Sequence, residues 1–281
     1  MSDPAHGPAE ASTAPTTPAA PAEPAGHDLL AGKVAVVTAA AGTGIGSATA
    51  RRLLAEGATV VISDAHQRRL AETAAALTGT PRADGSGSAQ PLAVPCDVTD
   101  EAQVQALFAA AVDAHGRLDV VVNNAGLGGT TEIVDMTDEQ WARVLDVTLT
   151  GTLRCTRAAL RILIPQRSGV VVNNASVLGW RAQVGQAHYA AAKAGVMALT
   201  RTAAAEGAPH GVRVNAVSPS LAMHPFLSKV IGEDVLDDLA RGEAFGRPAE
   251  PWEVATVIAF LASDYSSYMT GEVVSVSSQH P

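Results

Sequence analysis

Tyr189 and Lys193 stand four residues apart in the helix-spaced string HYAAAKAGVMALTR, and Ser176 precedes the tyrosine by 13 residues. At i and i+4 both side chains project from one face of a helix. Moving a hydride on or off an alcohol carbon needs a partner that takes or gives the hydroxyl proton. A free phenol, with a pKa of about 10, is a poor base near neutrality. An ammonium at roughly 4–5 Å, at an effective dielectric near 20, favours the phenolate by about 3–4 kcal/mol, or two to three pKa units. The three residues are therefore expected to form a proton-transfer set in which Ser176 holds the substrate oxygen. Alone, Tyr-x-x-x-Lys is an ordinary surface pair, so the reading depends on what accompanies it.

What accompanies it is a phosphate cradle. Thr38-Ala39-Ala40-Ala41-Gly42-Thr43-Gly44-Ile45-Gly46 joins a β-branched run to a helical stretch. Glycines let backbone approach a pyrophosphate, and the helix start offers unpaired N–H groups and a positive dipole end. Asp64 follows Gly46 by 18 residues, at the end of the next β-branched run. There a carboxylate accepts from an adenosine ribose and repels a 2′-phosphate, which favours NAD. Arg68 and Arg69 follow closely enough to reverse that choice, so NADP stays open. Asp97 and Val98, after the third run, are expected on the adenine side. Asn123-Asn124-Ala125-Gly126 closes the fourth run, where the coenzyme would lie.

The elements that must position these residues alternate along the chain. Strands are expected at 33–38, 59–63, 92–95, 120–123, 170–174, 212–217 and 273–276. Helices are expected at 45–56, 66–77, 101–115, 138 to about 163, 188–206 and 251–262. Strands apolar on both faces and separated by helices imply a parallel sheet covered on both sides. The fold class is α/β, one doubly wound domain from residue 29 to 281. Residues 79–90 (GTPRADGSGSAQ) are expected as a surface loop. Residues 220–245, with a short helix near 233–241, are expected as a substrate lid.

Composition sets the remaining bounds. Of the 281 residues, 47% are hydrophobic, enough for a sizeable core. The net charge of −9 leaves no basic surplus for nucleic acid. Residues 1–28 are Ala/Pro-rich and almost free of large apolar side chains, and are expected to be a disordered tail rather than a signal peptide. No apolar run is long enough for a membrane span. Two cysteines without C-x-x-C spacing fit a reducing, cytoplasmic setting and small buried roles. No His/Cys/Asp ligand spacing appears, so no metal is expected.

With these motifs in order, residues 29–281 resemble the short-chain dehydrogenase/reductase family. The likeness rests on the Gly42–Gly46 loop, Asn123-Asn124-Ala125-Gly126, Ser176, and Tyr189 with Lys193. It implies a Rossmann-type sheet of seven parallel strands, NAD(P)-dependent interconversion of a secondary alcohol and a ketone, and a homotetramer. It also implies that Lys193 binds the nicotinamide ribose and that Pro219 and Ala222 lie against the coenzyme. Three positions depart from the family pattern. Ala39 stands where a glycine is usual, in a loop one residue longer. Thr148 stands at the family's catalytic asparagine, where its hydroxyl would hold a relay water. His224 stands at a nicotinamide-contacting threonine.

Within the family, TAAAGTGIGSATARR, NNASVLGWRAQ and SDYSSYMTGEVVSVSSQHP are similar to an actinobacterial group of sterol C/D-ring degradation. That likeness implies a steroid-derived bicyclic CoA thioester, a hydroxy-methylindanone propionyl-CoA. Leu178, Trp180, Leu221, Met223, Phe226 and Leu227 would line its ring site, with His224 a further contact. Arg181, Lys229 and Arg241 would face the CoA phosphates. A linear 3-oxoacyl-thioester reductase is the alternative enzyme. A silent dinucleotide sensor or scaffold is the alternative of another class.

Overall fold

Valine and isoleucine suit strands that bury both faces, and alternate residues here serve two separate cores. The computed structural model describes residues 19–222 and 233–278. Strands β1 (Val34–Val37), β2 (Thr59–Asp64), β3 (Leu92–Pro95), β4 (Val120–Asn123), β5 (Gly169–Asn174), β6 (Val212–Pro219) and β7 (Val273–Val276) form one sheet in the order β3-β2-β1-β4-β5-β6-β7. Every pairing is parallel. The helices are α1 (Ile45–Ala55), α2 (Gln67–Leu77), α3 (Glu101–His115), α4 (Asp138–Leu145), α5 (Gly151–Gln166), α6 (Ala187–Gly207), α7 (Glu233–Gly242) and α8 (Pro251–Ala262).

Ala35 and Val37 of β1 face a core built with α1, α2 and α8, while Val36 faces one built with α3, α5 and α6. That period of two in a fully buried strand covers the sheet on both sides. Strand order reverses between β1 and β4, which opens a crevice at their carboxyl ends. Cys96 and Cys155 are buried, and burial pushes their thiols up to about 11 and about 12, which leaves both inert. No helix of the described residues is long and apolar enough to cross a membrane.

Two expectations need correction. The helix expected from 138 to 163 is α4 and α5 joined by a π-helical turn, Asp146–Thr150. The turn seats Gly151 where a Cβ would come within 2.7 Å of Val98, and turns Thr148 fully inward. The tail expected through residue 28 is fastened from residue 24 onward. Arg52 donates to the Pro24 carbonyl at 2.7 Å, and the His27 and Leu29 N–H groups donate to Glu56 at 2.7 and 3.1 Å. Arg52 and Glu56 pair at 2.5 Å with almost no exposure, so an ion pair gives this apolar-poor stretch its partners. Of the expected lid, α7 lies at the anticipated place. Met223, His224, Phe226, Leu227 and Lys229 lie outside the described residues.

Glu56→Ala leaves Arg52 buried without its partner and frees two backbone donors. The expected loss is about 3–5 kcal/mol of unfolding free energy, read by urea denaturation. A loss below about 1 kcal/mol, the size of a surface pair, would contradict the anchoring role.

Candidate active site

The carboxyl ends of β1, β2, β4, β5 and β6 border a crevice of about 990 Å³. That is at the upper end of the range for small-molecule and cofactor sites. At one end the glycine-rich loop turns into α1. Gly42 has φ +95°, and its N–H donates to the Thr73 hydroxyl at 3.0 Å. A Cβ on Gly46 would lie 2.3 Å from the Ala39 carbonyl oxygen and 2.5 Å from Asn124 Nδ2, so only glycine fits. The N-cap residue Gly44 caps nothing with a side chain, and the first turn of α1 carries no acid. Its N–H groups are therefore free for an anion, and this end fits a dinucleotide's phosphates. Ala39 takes φ +49°, keeping a backbone glycine would adopt freely at a cost of roughly 1–2 kcal/mol.

Asp64, at the end of β2, lines the crevice. It accepts from the Ala41 N–H at 3.2 Å and from the His66 N–H at 2.9 Å, and so fixes the loop while facing the site. Arg69 lines the same wall, whereas Arg68 pairs with Glu72 at the surface. Thr43, Ile45, Gly126, Pro219 and Ala222 also line the crevice. Asp97 and Val98 do not. Asp97 spends one carboxylate oxygen on the N–H and hydroxyl of Thr99, and Val98 packs in the core against Gly151. Ala125 sits just behind the wall, with its N–H on the Thr38 hydroxyl. A strand-end position was visible in the sequence for these three, but side-chain direction was not.

At the other end stand the proposed catalytic groups. Ser176 follows β5, accepts from the Leu178 N–H at 3.2 Å, and lines the crevice together with Tyr189. Tyr189 and Lys193 lie in the first two turns of α6, with Lys193 Nζ 5.5 Å from the phenol ring centre. Lys193 is 2% exposed and donates to the Asn174 main-chain carbonyl at 2.5 Å. Burial pushes the phenol up to about 12, against a partial opposing effect of the Ser176 hydrogen bond. Burial also lowers the ammonium to about 8. Burial thus opposes the charged form of both groups, an effect that the spacing of the two residues does not report.

Thr148 lies behind the loop that follows β4. It is fully buried, its hydroxyl donates to the Leu127 carbonyl at 3.1 Å, and it accepts from the Leu127 N–H at 3.0 Å. With its one proton spent, it positions the loop after β4. Two residues went unnoticed in the sequence. Asn174 bonds Asn124 across the strand ends, part of an Asn-Asn pair on β5 that faces the Asn-Asn pair of β4 in register. That matched doublet was the available signal. Glu243, 5% exposed beside the crevice, accepts from the Leu221 N–H and the Ser278 hydroxyl. No pattern marked it. Toward the lid, Leu178, Arg181 and Leu221 line the site, while Trp180 is 42% exposed and stays outside it. Arg241 pairs with Asp238 away from the wall.

Known proteins resemble this chain over most of its length. A family model described as Enoyl-(Acyl carrier protein) reductase matches residues 39–278. Over 258 residues the chain is 67% identical to the (5R,7aS)-5-hydroxy-7a-methyl-1-oxo-2,3,5,6,7,7a-hexahydro-1H-indene-carboxyl-CoA reductase of Mycobacterium tuberculosis, covering 92% of this chain and 96% of that one. It is 39% identical over 247 residues to a 3-oxoacyl-(acyl-carrier-protein) reductase of Thermotoga maritima, covering 88% and 97%. A crystal structure of a short chain dehydrogenase from Mycobacterium smegmatis superposes with a TM-score of 0.80 at 62% identity, covering 94% of this chain and 99% of that one.

Thr148→Val leaves the half-buried Leu127 N–H and carbonyl without their side-chain partner. The expected cost is about 1–3 kcal/mol of stability, read by urea unfolding, with Thr148→Ser near the native value. Equal stability of the valine variant would show that the hydroxyl holds nothing.

Proposed function

The chain belongs to the short-chain dehydrogenase/reductase family and is an oxidoreductase of alcohols and ketones with an NAD(P)-type coenzyme, and from that premise we propose that it reduces a ring ketone carried on a CoA thioester, using NADH. The observation that carries the reading is that Ser176, Tyr189 and buried Lys193 line one crevice with an uncapped glycine-rich helix start.

The N–H groups at the start of α1 would hold the pyrophosphate, Asp64 the adenosine ribose, and Lys193 with the 124–126 backbone the reacting half. Bound there, the coenzyme supplies the hydride. Ser176 holds the carbonyl oxygen of the substrate by its hydroxyl. Tyr189 gives its phenolic proton to that oxygen as the C–H bond forms. At neutral pH a phenol raised to about 12 is fully stocked with its proton, and an alkoxide is basic enough to take it. That favours reduction. The charged form of Lys193, present below about 8, steadies the phenolate left behind until a proton returns from solvent.

Asp64 supports NAD over NADP, because a carboxylate at the ribose repels a 2′-phosphate. The ring substrate is supported by the 67% identity to an indene-carboxyl-CoA reductase and by an apolar wall of Leu178, Leu221 and Leu239. Arg181 and the nearby Gln183 and Gln186 suit the polar thioester arm. A cytoplasmic homotetramer is supported by two free buried cysteines and by the outward apolar side chains Trp141, Leu153, Phe260 and Tyr265.

A panel of ring and linear ketoacyl-CoAs with NADH and NADPH, followed at the reduced-nicotinamide absorbance, tests this reading. The expected kcat/KM favours the ring CoA ketone with NADH by about tenfold or more, equivalent to roughly 1.4 kcal/mol of transition-state stabilisation. A preference for linear 3-oxoacyl thioesters or for NADPH would overturn the corresponding half of the proposal.

A further inference from the structure

The loop that follows β4 carries the glycines Gly126, Gly128 and Gly129, and all of them line the crevice. Two of these positions have a neighbour that explains the missing side chain. A Cβ on Gly126 would lie 3.4 Å from Lys193 Nζ, and one on Gly129 would press to 3.1 Å against Nε2 of the buried His188. Gly128 has no such reason. Its φ is not in the left-handed region, so its backbone does not require glycine. Among the described residues its Cβ would meet only Cδ2 of the Tyr189 ring, at 3.8 Å, an ordinary van der Waals contact. Gly128 is exposed, and it shares the crevice wall with Tyr189. A side chain at 128 would therefore reach into the crevice beside the phenol.

The loop is fixed on both sides of that position. Thr148 holds the Leu127 N–H and carbonyl at 3.0 and 3.1 Å. Beyond Gly129, Gln186 Nε2 donates to the Thr130 hydroxyl at 3.2 Å, and the Thr131 N–H donates to the Gly185 carbonyl at 3.0 Å. Between these anchors an added side chain would fill the crevice rather than push the loop away. Glycine carries an entropic cost that alanine avoids wherever the backbone allows alanine. A glycine with neither a turn nor a packing neighbour to demand it, beside the proposed proton donor, marks space kept open.

We propose that Gly128 is a specificity-determining position, whose missing side chain leaves room beside Tyr189 for the body of a ring ketone. The inference rests on the ring-ketone reading above. A carbonyl that takes its proton from Tyr189 brings both of its neighbouring carbons close to that ring. In a linear thioester each of those carbons can turn about a single bond, away from an obstacle. In a ring they are tied back to one another and cannot turn. A side chain at 128 therefore discriminates against ring ketones far more than against linear ones.

The test measures kcat/KM of the native protein, Gly128→Ala and Gly128→Val with NADH on a bicyclic ketone CoA thioester and on a linear 3-oxoacyl-CoA. NADH binding is titrated separately. The expected ring-to-linear ratio falls with the size of the added group, by about tenfold or more in Gly128→Val, the scale of a misplaced methyl group in a pocket. The NADH dissociation constant should stay within about twofold. The unfolding midpoint of Gly128→Ala should lie no more than about 2 °C below the native value, because nothing strains or crowds its Cβ. Should the valine variant not fold, the alanine variant carries the test, with an expected fall in the ratio of at least about threefold. Equal loss on both substrates overturns the proposal, because it would mean that the added group disturbs Tyr189 itself. A native ring preference that both variants keep overturns this inference alone. Native protein without a ring preference would overturn the ring-ketone reading and this inference with it.

Discussion

A single backbone carbonyl, that of Asn174, holds the ammonium of Lys193 under the floor of the crevice. Much else in the site follows from that buried charge. An ammonium taken out of water must be hydrogen-bonded or give up its proton. Here it is held on one side and left facing the phenol on the other. A unit charge 5.5 Å from the ring, at an effective dielectric near 20, is worth about 3 kcal/mol. That favours the phenolate left after proton transfer, and only while the lysine keeps its proton. The state of Lys193 therefore decides how well that charge is held.

The sheet exists, for this purpose, to bring Asn174 to the right place. Reversal of strand order between β1 and β4 sets the ends of β1, β4 and β5 side by side. A chain of amides then links them, from the Thr38 and Ala39 carbonyls through Asn124 to Asn174. The same chain that shapes the phosphate loop thus ends at the carbonyl that holds Lys193. The proposed phosphate cradle and the proposed proton-transfer set thus share one support, which suits a reaction needing both partners fixed to within a fraction of an ångström.

Much of this was readable in the residues. Strand and helix positions follow from periodicity, and β3, α3, β4, α8 and β7 begin and end where the pattern placed them. Fully buried Val-rich runs and capped amphipathic helices leave little freedom there. That Ser176, Tyr189 and Lys193 line one crevice was readable because they lie close together in the sequence. What escaped was side-chain direction and long-range pairing. Val98 and Asp97 sit at a strand end that does face the crevice side, yet each side chain turns to a nearer partner. Thr148 looked available because periodicity cannot foresee a π turn, which depends on Gly151 fitting against Val98. Burial, which opposes the charged form of both Tyr189 and Lys193, is something that spacing does not report. The anchored residues 24–28 escaped because their partners, Arg52 and Glu56, look like any surface i,i+4 pair in sequence.

The pH dependence of kcat/KM for ketone reduction addresses the central claim most directly. Burial holds the Lys193 ammonium down to about 8, so its charged form is present below that pH and lost above it. The account predicts a plateau at neutral pH and a fall as pH rises through about 8, while Tyr189 still carries its proton. In Lys193→Arg, whose charge persists to far higher pH, the fall should move upward by more than about two units. A profile that stays flat or rises between pH 7 and 10, or one that Lys193→Arg leaves unmoved, would contradict it.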